Sequence, residues 1–297
     1  MFNIIGNKWI FLTISGILVA ASIVAIIIFG FKQGIDFAGG TQWQISQPKT
    51  STSTIDYATL TKILPKEAVV TSVGDDEFLI RLPEISEAEH QKYLKELRDK
   101  NSLIEEKGFE SIGPAVGLEL RKKAIYAFFS VLLTISFYIA FAFRKVSYPV
   151  KSWKYGIVTL VTLFHDALIP AGLLSFLGWL NNIDVGTNFI VALLVVMGFS
   201  VHDTIVVFDR IRENIKIEKG HNLQFPDLVN KSVNETMARS INTSLTLVLV
   251  LLALLVLGPA NLRYFILPIL VGTVVGTYSS IFVASPLLVL WSKTKGR

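Results

Sequence analysis

Six long apolar runs set the pattern of this chain, at about Trp9–Phe31, Ala124–Phe143, Tyr155–Leu177, Phe189–Phe208, Asn242–Leu257 and Phe265–Leu290. Each is close to the ~20 residues that a helix needs to cross a bilayer. Between the first two runs the pattern changes. Thr41–Ser46 (TQWQIS) alternates and is rich in strand formers, Ile55–Leu64 has helical spacing closed by Pro65, and Ala68–Val73 and Glu77–Leu82 read as strands joined by a turn at Gly74-Asp75-Asp76. Ser86 with Glu89 three residues on is a capping-box signature, opening a helix to about Asn101 with Tyr93, Leu94 and Leu97 on its apolar face. Phe109–Ile112 supplies a last short strand. The order β-α-β-β-α-β is the ferredoxin-like arrangement.

The pattern therefore predicts an α-helical multi-pass membrane protein with six transmembrane helices and a small α+β ferredoxin-like extracytoplasmic domain between the first and second. The expected divisions are a cytoplasmic N-terminus and first helix over residues 1–31, the α+β domain over 32–123, and helices two to six with a cytoplasmic tail over 124–297. Composition agrees, with 52% hydrophobic and 17% charged residues, against about 25% charged in soluble proteins. The formal net charge of +5 is no nucleic-acid signal, because the basic residues sit where membrane topology puts them. Arg144, Lys145, Lys151 and Lys154 follow the second run, Arg210, Arg212, Lys216, Lys219 and Lys231 the fourth, and Lys293, Lys295 and Arg297 form the tail. The positive-inside rule then places both termini in the cytoplasm. The first run is too long for a signal h-region and reads as an uncleaved anchor. The absence of cysteine excludes disulfides, thiolate metal sites and cysteine nucleophiles.

Candidate chemistry lies inside the apolar runs. The fourth carries His202 and Asp203 well before the polar pair Asp209–Arg210. A carboxylate in mid-span costs about 2.5–3.5 kcal/mol on insertion scales and marks an ion, proton or substrate path by default. Ser200, Asp203, Thr204 and Val207 share one helical stripe at i, i+3, i+4 and i+7. The bland alternative is that Asp203 only pins helices together. In the fifth run Arg239, Asn242, Thr243 and Thr246 repeat the same spacing, and Arg239 is either a partner for Asp203 or a snorkelling side chain. Asp166 in the third run is a second candidate on the path, beside His165, which is equally a packing residue. Gly272, Gly276, Ser280 and Ala284 in the sixth form a small-residue packing seam. The sequence holds no HExxH zinc helix, no GxxxxGK[ST] phosphate loop and no GxSxG elbow, so no cofactor and no enzymatic chemistry is expected.

Two Gly-rich boundaries flank the outer segment, GIDFAGGT at Gly34–Thr41 and SIGPAVGLEL at Ser111–Leu120. Taken alone, Gly34, Gly39 and Gly40 make a tight turn between membrane and strand, and Asp36 is an N-cap or turn residue. The pairing of GIDFAGGT after the first span with DTIVVFDRIREN at the end of the fourth resembles the SecD/SecF family of protein-export membrane proteins, in the resistance-nodulation-division superfamily, and its smaller, SecF-type members. SIGPAVGLEL and ARSINTSLTL look like further motifs of that family. The resemblance covers essentially the whole chain, with one departure: His202 stands where family members usually carry Asn. It implies a subunit of the SecDF complex that assists preprotein translocation across the cytoplasmic membrane, coupling a proton or sodium gradient to outward movement of the substrate. The implied partners are a SecD-like subunit, the SecYEG channel with SecA, the unfolded preprotein and membrane lipid. Asp203 and Arg239 align with functional membrane residues of the family, and a change in their separation would load or release a proton. A small-molecule half-transporter of the same superfamily and a purely structural scaffold are the alternatives.

The orientation is testable with single cysteines at Ser53→Cys, Ser102→Cys, Lys151→Cys and Lys293→Cys, probed in intact cells with an impermeant thiol reagent. The first two are expected to label and the last two to stay protected; labelling at Lys151→Cys or Lys293→Cys would overturn the topology.

Overall fold

In the computed structural model, residues 2–47, 56–72, 77–144, 149–218, 224–259 and 262–292 are described. The chain forms two compact units. One comprises residues 33–125 together with 184–187, and the other comprises 1–32, 126–183 and 188–297.

The first unit is an α+β fold. Its strands are β1 (Gly40–Ser46), β2 (Val69–Ser72), β3 (Glu77–Leu82) and β4 (Glu105–Ile112). They make one antiparallel sheet in the order β2-β3-β1-β4, the ferredoxin-like order. Pairing of Trp43 with Ile80 across β1 and β3 places two fully buried side chains together in the core. Helices α3 (Tyr57–Ile63) and α4 (Glu87–Lys100) cover this face through Leu60, Leu94 and Leu97. The Ser86–Glu89 capping box is formed at the start of α4. The Ser86 amide and hydroxyl hold the Glu89 carboxyl below its usual range. β4 begins four residues earlier than the sequence pattern suggests. Its extra residues Glu105, Glu106, Lys107 and Gly108 look like loop, yet at a sheet edge the backbone pairs with β1 while Glu105 and Lys107 stay in water and half-buried Glu106 turns inward to accept from Trp43 Nε1 at 3.1 Å. The turn expected at Gly74-Asp75-Asp76 lies outside the described residues.

A one-turn helix, α2 (Ile35–Ala38), leads from the first long helix into β1. Gly39 at φ +77° and Gly40 at φ +123° lie where L side chains are strained. A Cβ on Gly39 would also sit 2.7 Å from Pro114 Cα, and one on Gly117 2.9 Å from the Gly39 nitrogen. The two Gly-rich motifs are thus one joint, in which α2 and the start of α5 (Pro114–Ala142) meet at backbone distance.

The second unit is helical. Helices α1 (Lys8–Phe29), α5, α6 (Ser152–Asn181), α7 (Thr187–Ile217), α8 (Phe225–Leu257) and the run Arg263–Leu290 are long and apolar enough to cross a membrane. The last is α9 (Arg263–Ser279), a π-helical turn at Ser280–Ala284, and α10 (Ser285–Leu290). Helices α7 and α8 outrun their apolar segments by two or more turns, because their polar ends bond to each other. Arg210 pairs with Glu213 at 2.6 Å and Glu235 at 2.7 Å, Lys231 with Glu218 at 3.0 Å, and Asn214 donates to Ser232 at 2.9 Å. Close approach is set by small residues. A Cβ on Gly172 of α6 would meet Ser22 Cα of α1 at 2.5 Å, and one on Gly276 of α9 would meet Ser200 Cβ of α7 at 2.9 Å.

The joint predicts opposite outcomes for two glycines in the first unit. Gly39→Ala should destabilise by about 1–3 kcal/mol, through left-handed backbone strain and the contact with Pro114. Gly108→Ala, where a Cβ meets nothing within 4 Å, should change stability by no more than about 0.5 kcal/mol. Thermal unfolding of the two variants, followed by fluorescence in detergent, checks the ordering.

Candidate functional site

The polar stripe of α7 faces inward. Ser200, Asp203, Thr204 and Val207 are all buried among neighbouring helices of the same chain, while His202 is on the exposed side. An apolar helix can carry such a stripe only where other groups satisfy it.

Asp203 meets hydroxyls from two other helices. Its Oδ2 lies 3.3 Å from Ser244 Oγ on α8 and 3.2 Å from Thr277 Oγ1 on α9, and the two hydroxyls touch each other. Both also reach the carbonyl one turn back, Ser244 to Ser240 O at 2.8 Å and Thr277 to Thr273 O at 2.9 Å. Each hydroxyl has a single proton and two acceptor lone pairs. A carboxylate at Asp203 can accept those protons. A carboxylic acid at Asp203 can instead donate to a hydroxyl whose own proton has turned to the backbone. Both protonation states therefore find partners by rotation of two O–H bonds, without movement of a helix.

Asp166 of α6 forms the second carboxylate centre and is fully buried. Its Oδ2 accepts from Ser200 of α7 and from Ser279 of α9, the latter at 2.7 Å, and its Oδ1 lies 2.7 Å from Nδ1 of His165. His165 Nε2 is buried without a hydrogen-bond partner. Ser200 and Asp203 are three residues apart on α7, and Thr277 and Ser279 two apart on α9. The two centres are thus consecutive stations on one polar seam. Thr204 closes locally, donating to Ser200 O at 3.2 Å.

Arg239 does not take part. It is exposed, as are Asn242, Thr243 and Thr246 on the same face of α8, and among the described residues it makes no hydrogen bond or ion pair. Of the two readings left open for Arg239, partner of Asp203 or snorkelling side chain, the pairing is not seen in this arrangement, and Asp203 meets Ser244 on the other face of α8 instead. Asn242 and Thr243 flank the site without contacting the carboxylate.

The motif residues sit at two separate places. At one end of α7, exposed Asp209 pairs with Arg212, and Arg210 bridges to α8 as described above. At the other, Asp36 lies inside the first turn of α2, so it is no N-cap of its own helix. Its Oδ2 accepts instead from the backbone N–H of Thr187 at 2.6 Å and from the Thr187 hydroxyl at 2.7 Å. Gly34 N–H bonds Val185 O at 2.9 Å, and Arg81 pairs with Asp184 at 2.6 Å. Among the described residues, no group of three or more His, Cys, Asp and Glu side chains could hold a metal ion.

The family model for the C-terminal part of protein export membrane protein SecD/SecF matches residues 92–294, and the SecD/SecF GG motif matches residues 24–46. The chain belongs to the SecD/SecF family. A protein translocase subunit SecF from Thermobaculum terrenum is 41% identical to it, with 98% of this chain and 94% of the relative covered. Another from Anaerolinea thermophila is 36% identical, with 100% and 96% covered. Among solved structures, the crystal structure of SecDF, a translocon-associated membrane protein from Thermus thermophilus, superposes with a TM-score of 0.80 at 36% identity. A crystal structure of SecDF in a super-membrane-facing form gives 0.69 at 37%. Each alignment covers 98% of this chain and 38% of the solved one, so the solved SecDF chains are much longer than this one. The residues matched by the GG motif include Gly39 and Gly40, the two positive-φ glycines of the α+β unit.

The shared hydroxyls make a prediction. Ser244→Ala and Thr277→Val each leave the Asp203 carboxyl one polar partner, and each should lower stability by about 1 kcal/mol. Together they should cost more than the sum, since the buried carboxyl then has no hydroxyl at all. Thermal midpoints of the three variants in detergent measure this; additive effects near zero would show that the hydroxyls do not serve Asp203.

Proposed function

We propose that this chain is the SecF-type subunit of a SecDF-like complex in a bacterial cytoplasmic membrane, and that it uses an ion gradient to help preproteins cross. The observation that carries the gradient part is Asp203, a carboxyl buried in a spanning helix that, among the described residues, forms no ion pair with Lys or Arg. Among the described residues its side-chain hydrogen-bond partners are the two hydroxyls, which can serve it with or without a proton. Asp166, linked through Ser200 and Ser279 to the same helices, is the second station on the path. Moving one charge through the membrane field supplies about 2.3 kcal/mol per 100 mV, enough to bias a helix arrangement whose alternatives differ by a few kcal/mol. No side chains are assigned to hydrolytic chemistry.

The partner is a SecD-like subunit. The support is the exposed stripe Arg239, Asn242, Thr243 and Thr246 on an otherwise apolar helix. Lipid cannot satisfy that stripe, and protein can. Arg239 then acts on an ion path shared with the partner rather than by direct pairing with Asp203. In this reading both termini are cytoplasmic, the α+β unit lies outside, and the complex works beside SecYEG and SecA on an unfolded preprotein.

Asp203→Asn keeps size and hydrogen bonding and removes the exchangeable proton. In inverted vesicles bearing the co-purified complex, its expression and assembly should survive while uncoupler-sensitive stimulation of preprotein uptake falls to the level without the complex. Full uncoupler-sensitive stimulation in Asp203→Asn would move the coupling role elsewhere, with Asp166 next in line.

A further inference from the structure

The first residues of α7 are held from elsewhere in the chain. A helix leaves four backbone N–H groups unpaired at its start, and a side chain just before it usually serves one of them. Here the preceding residue is Gly186, which has none. The carboxylate of Asp36 takes that place, at 2.6 Å from Thr187 N and 2.7 Å from Thr187 Oγ1. A Cβ on Gly186 would lie 2.5 Å from Asp36 Oδ2, so the glycine leaves the space that the carboxylate fills. A negative charge there also faces the positive end of the helix dipole. The same short loop is gripped twice more, by the backbone pairing of Gln33 and Gly34 with Val185 and by the ion pair of Arg81 on β3 with Asp184. These contacts make residues 184–187 part of the α+β unit. From Thr187, α7 runs unbroken to Asp203, 16 residues or about 24 Å away.

We infer that Asp36 is a positioning residue for the Asp203 helix. The segment after α1 caps α7 in place of a local cap, and so fixes where that helix begins. Loss of the cap frees the first turn of the helix that carries the buried carboxyl. The consequence for export rests on the role proposed above for Asp203; the cap itself does not.

The test uses the co-purified complex and reads two quantities. Hydrogen–deuterium exchange over residues 184–192 reports the cap, and gradient-dependent preprotein uptake reports its consequence. Asp36→Ala should speed exchange of the first-turn amides about five-fold and lower the stimulation of uptake. Asp36→Asn should retain slow exchange and most of the stimulation, because Asn caps as well as Asp. That is the reverse of what is expected at Asp203, where Asn fails. Gly186→Ala should reproduce Asp36→Ala by displacing the carboxylate, and adding it to Asp36→Ala should change little further. Unchanged exchange in Asp36→Ala, loss in Asp36→Asn equal to that in Asp36→Ala, additive effects of the two substitutions, or faster exchange with undiminished uptake would each overturn the inference. If Asp203→Asn kept full stimulation while the exchange pattern held, the cap would stand and the role of Asp203 would fall.

Discussion

A carboxyl group inside an apolar helix bundle has to be matched by donors, and that requirement organises the helical unit. Asp166 and Asp203 lie on different helices, and the hydroxyls they use come from α7, α8 and α9. Removing water from a polar group without replacing its hydrogen bonds costs several kcal/mol. The packing of these helices against one another is therefore set by where Ser200, Ser244, Thr277 and Ser279 can reach. Gly276 follows from the same demand, because only a residue without a Cβ lets Ser200 approach α9. The π-helical turn begins directly after Ser279, at Ser280. One extra residue in a turn rotates the remainder of the span relative to the polar seam, and such turns are frequent at functional sites.

The α+β unit is built on a different principle, a sheet with one face covered by two helices around Trp43 and Ile80. Its Gly-rich segments meet one another at the backbone level. Within the unit, Gly39 of the first motif meets Pro114 and Gly117 of the second, while Gly34 and Asp36 meet the 184–187 loop. A joint made of main chain tolerates little change of side chain. This accounts physically for glycines at these positions.

Much of this architecture is legible in the pattern of apolar residues. Six runs gave six long helices, and the β-α-β-β-α-β order gave the observed sheet, because apolar periodicity follows directly from which face is buried. Glu77–Leu82 and the Ser86–Glu89 capping box were readable to the residue, since both depend on local chemistry. The start of β4 was not, because an edge strand with polar side chains has the composition of a loop. The environment of Asp203 was legible only in part. Spacing on α7 identified the stripe, but the rotation of α8 about its axis decides whether Arg239 or Ser244 faces it, and no single-helix periodicity contains that angle. Ser240 and Ser244, and Thr273 and Thr277, recur four residues apart inside apolar spans, and that spacing was the available signal for the missed hydroxyls. The partnership of Asp36 with Thr187 spans 151 residues of sequence, beyond any local pattern.

The central claim is that Asp203 exchanges an ion and is not merely a polar pin between helices. Infrared difference spectroscopy of the purified complex, stepped between acidic and alkaline buffer, reads the carboxyl group directly. A protonated-carboxyl band that emerges on acidification in the natural sequence should be missing from the Asp203→Asn variant, and should shift in Ser244→Ala, which removes one of its hydroxyl partners. A difference spectrum unchanged by Asp203→Asn would contradict the account, because the carboxyl would then hold the same protonation state throughout.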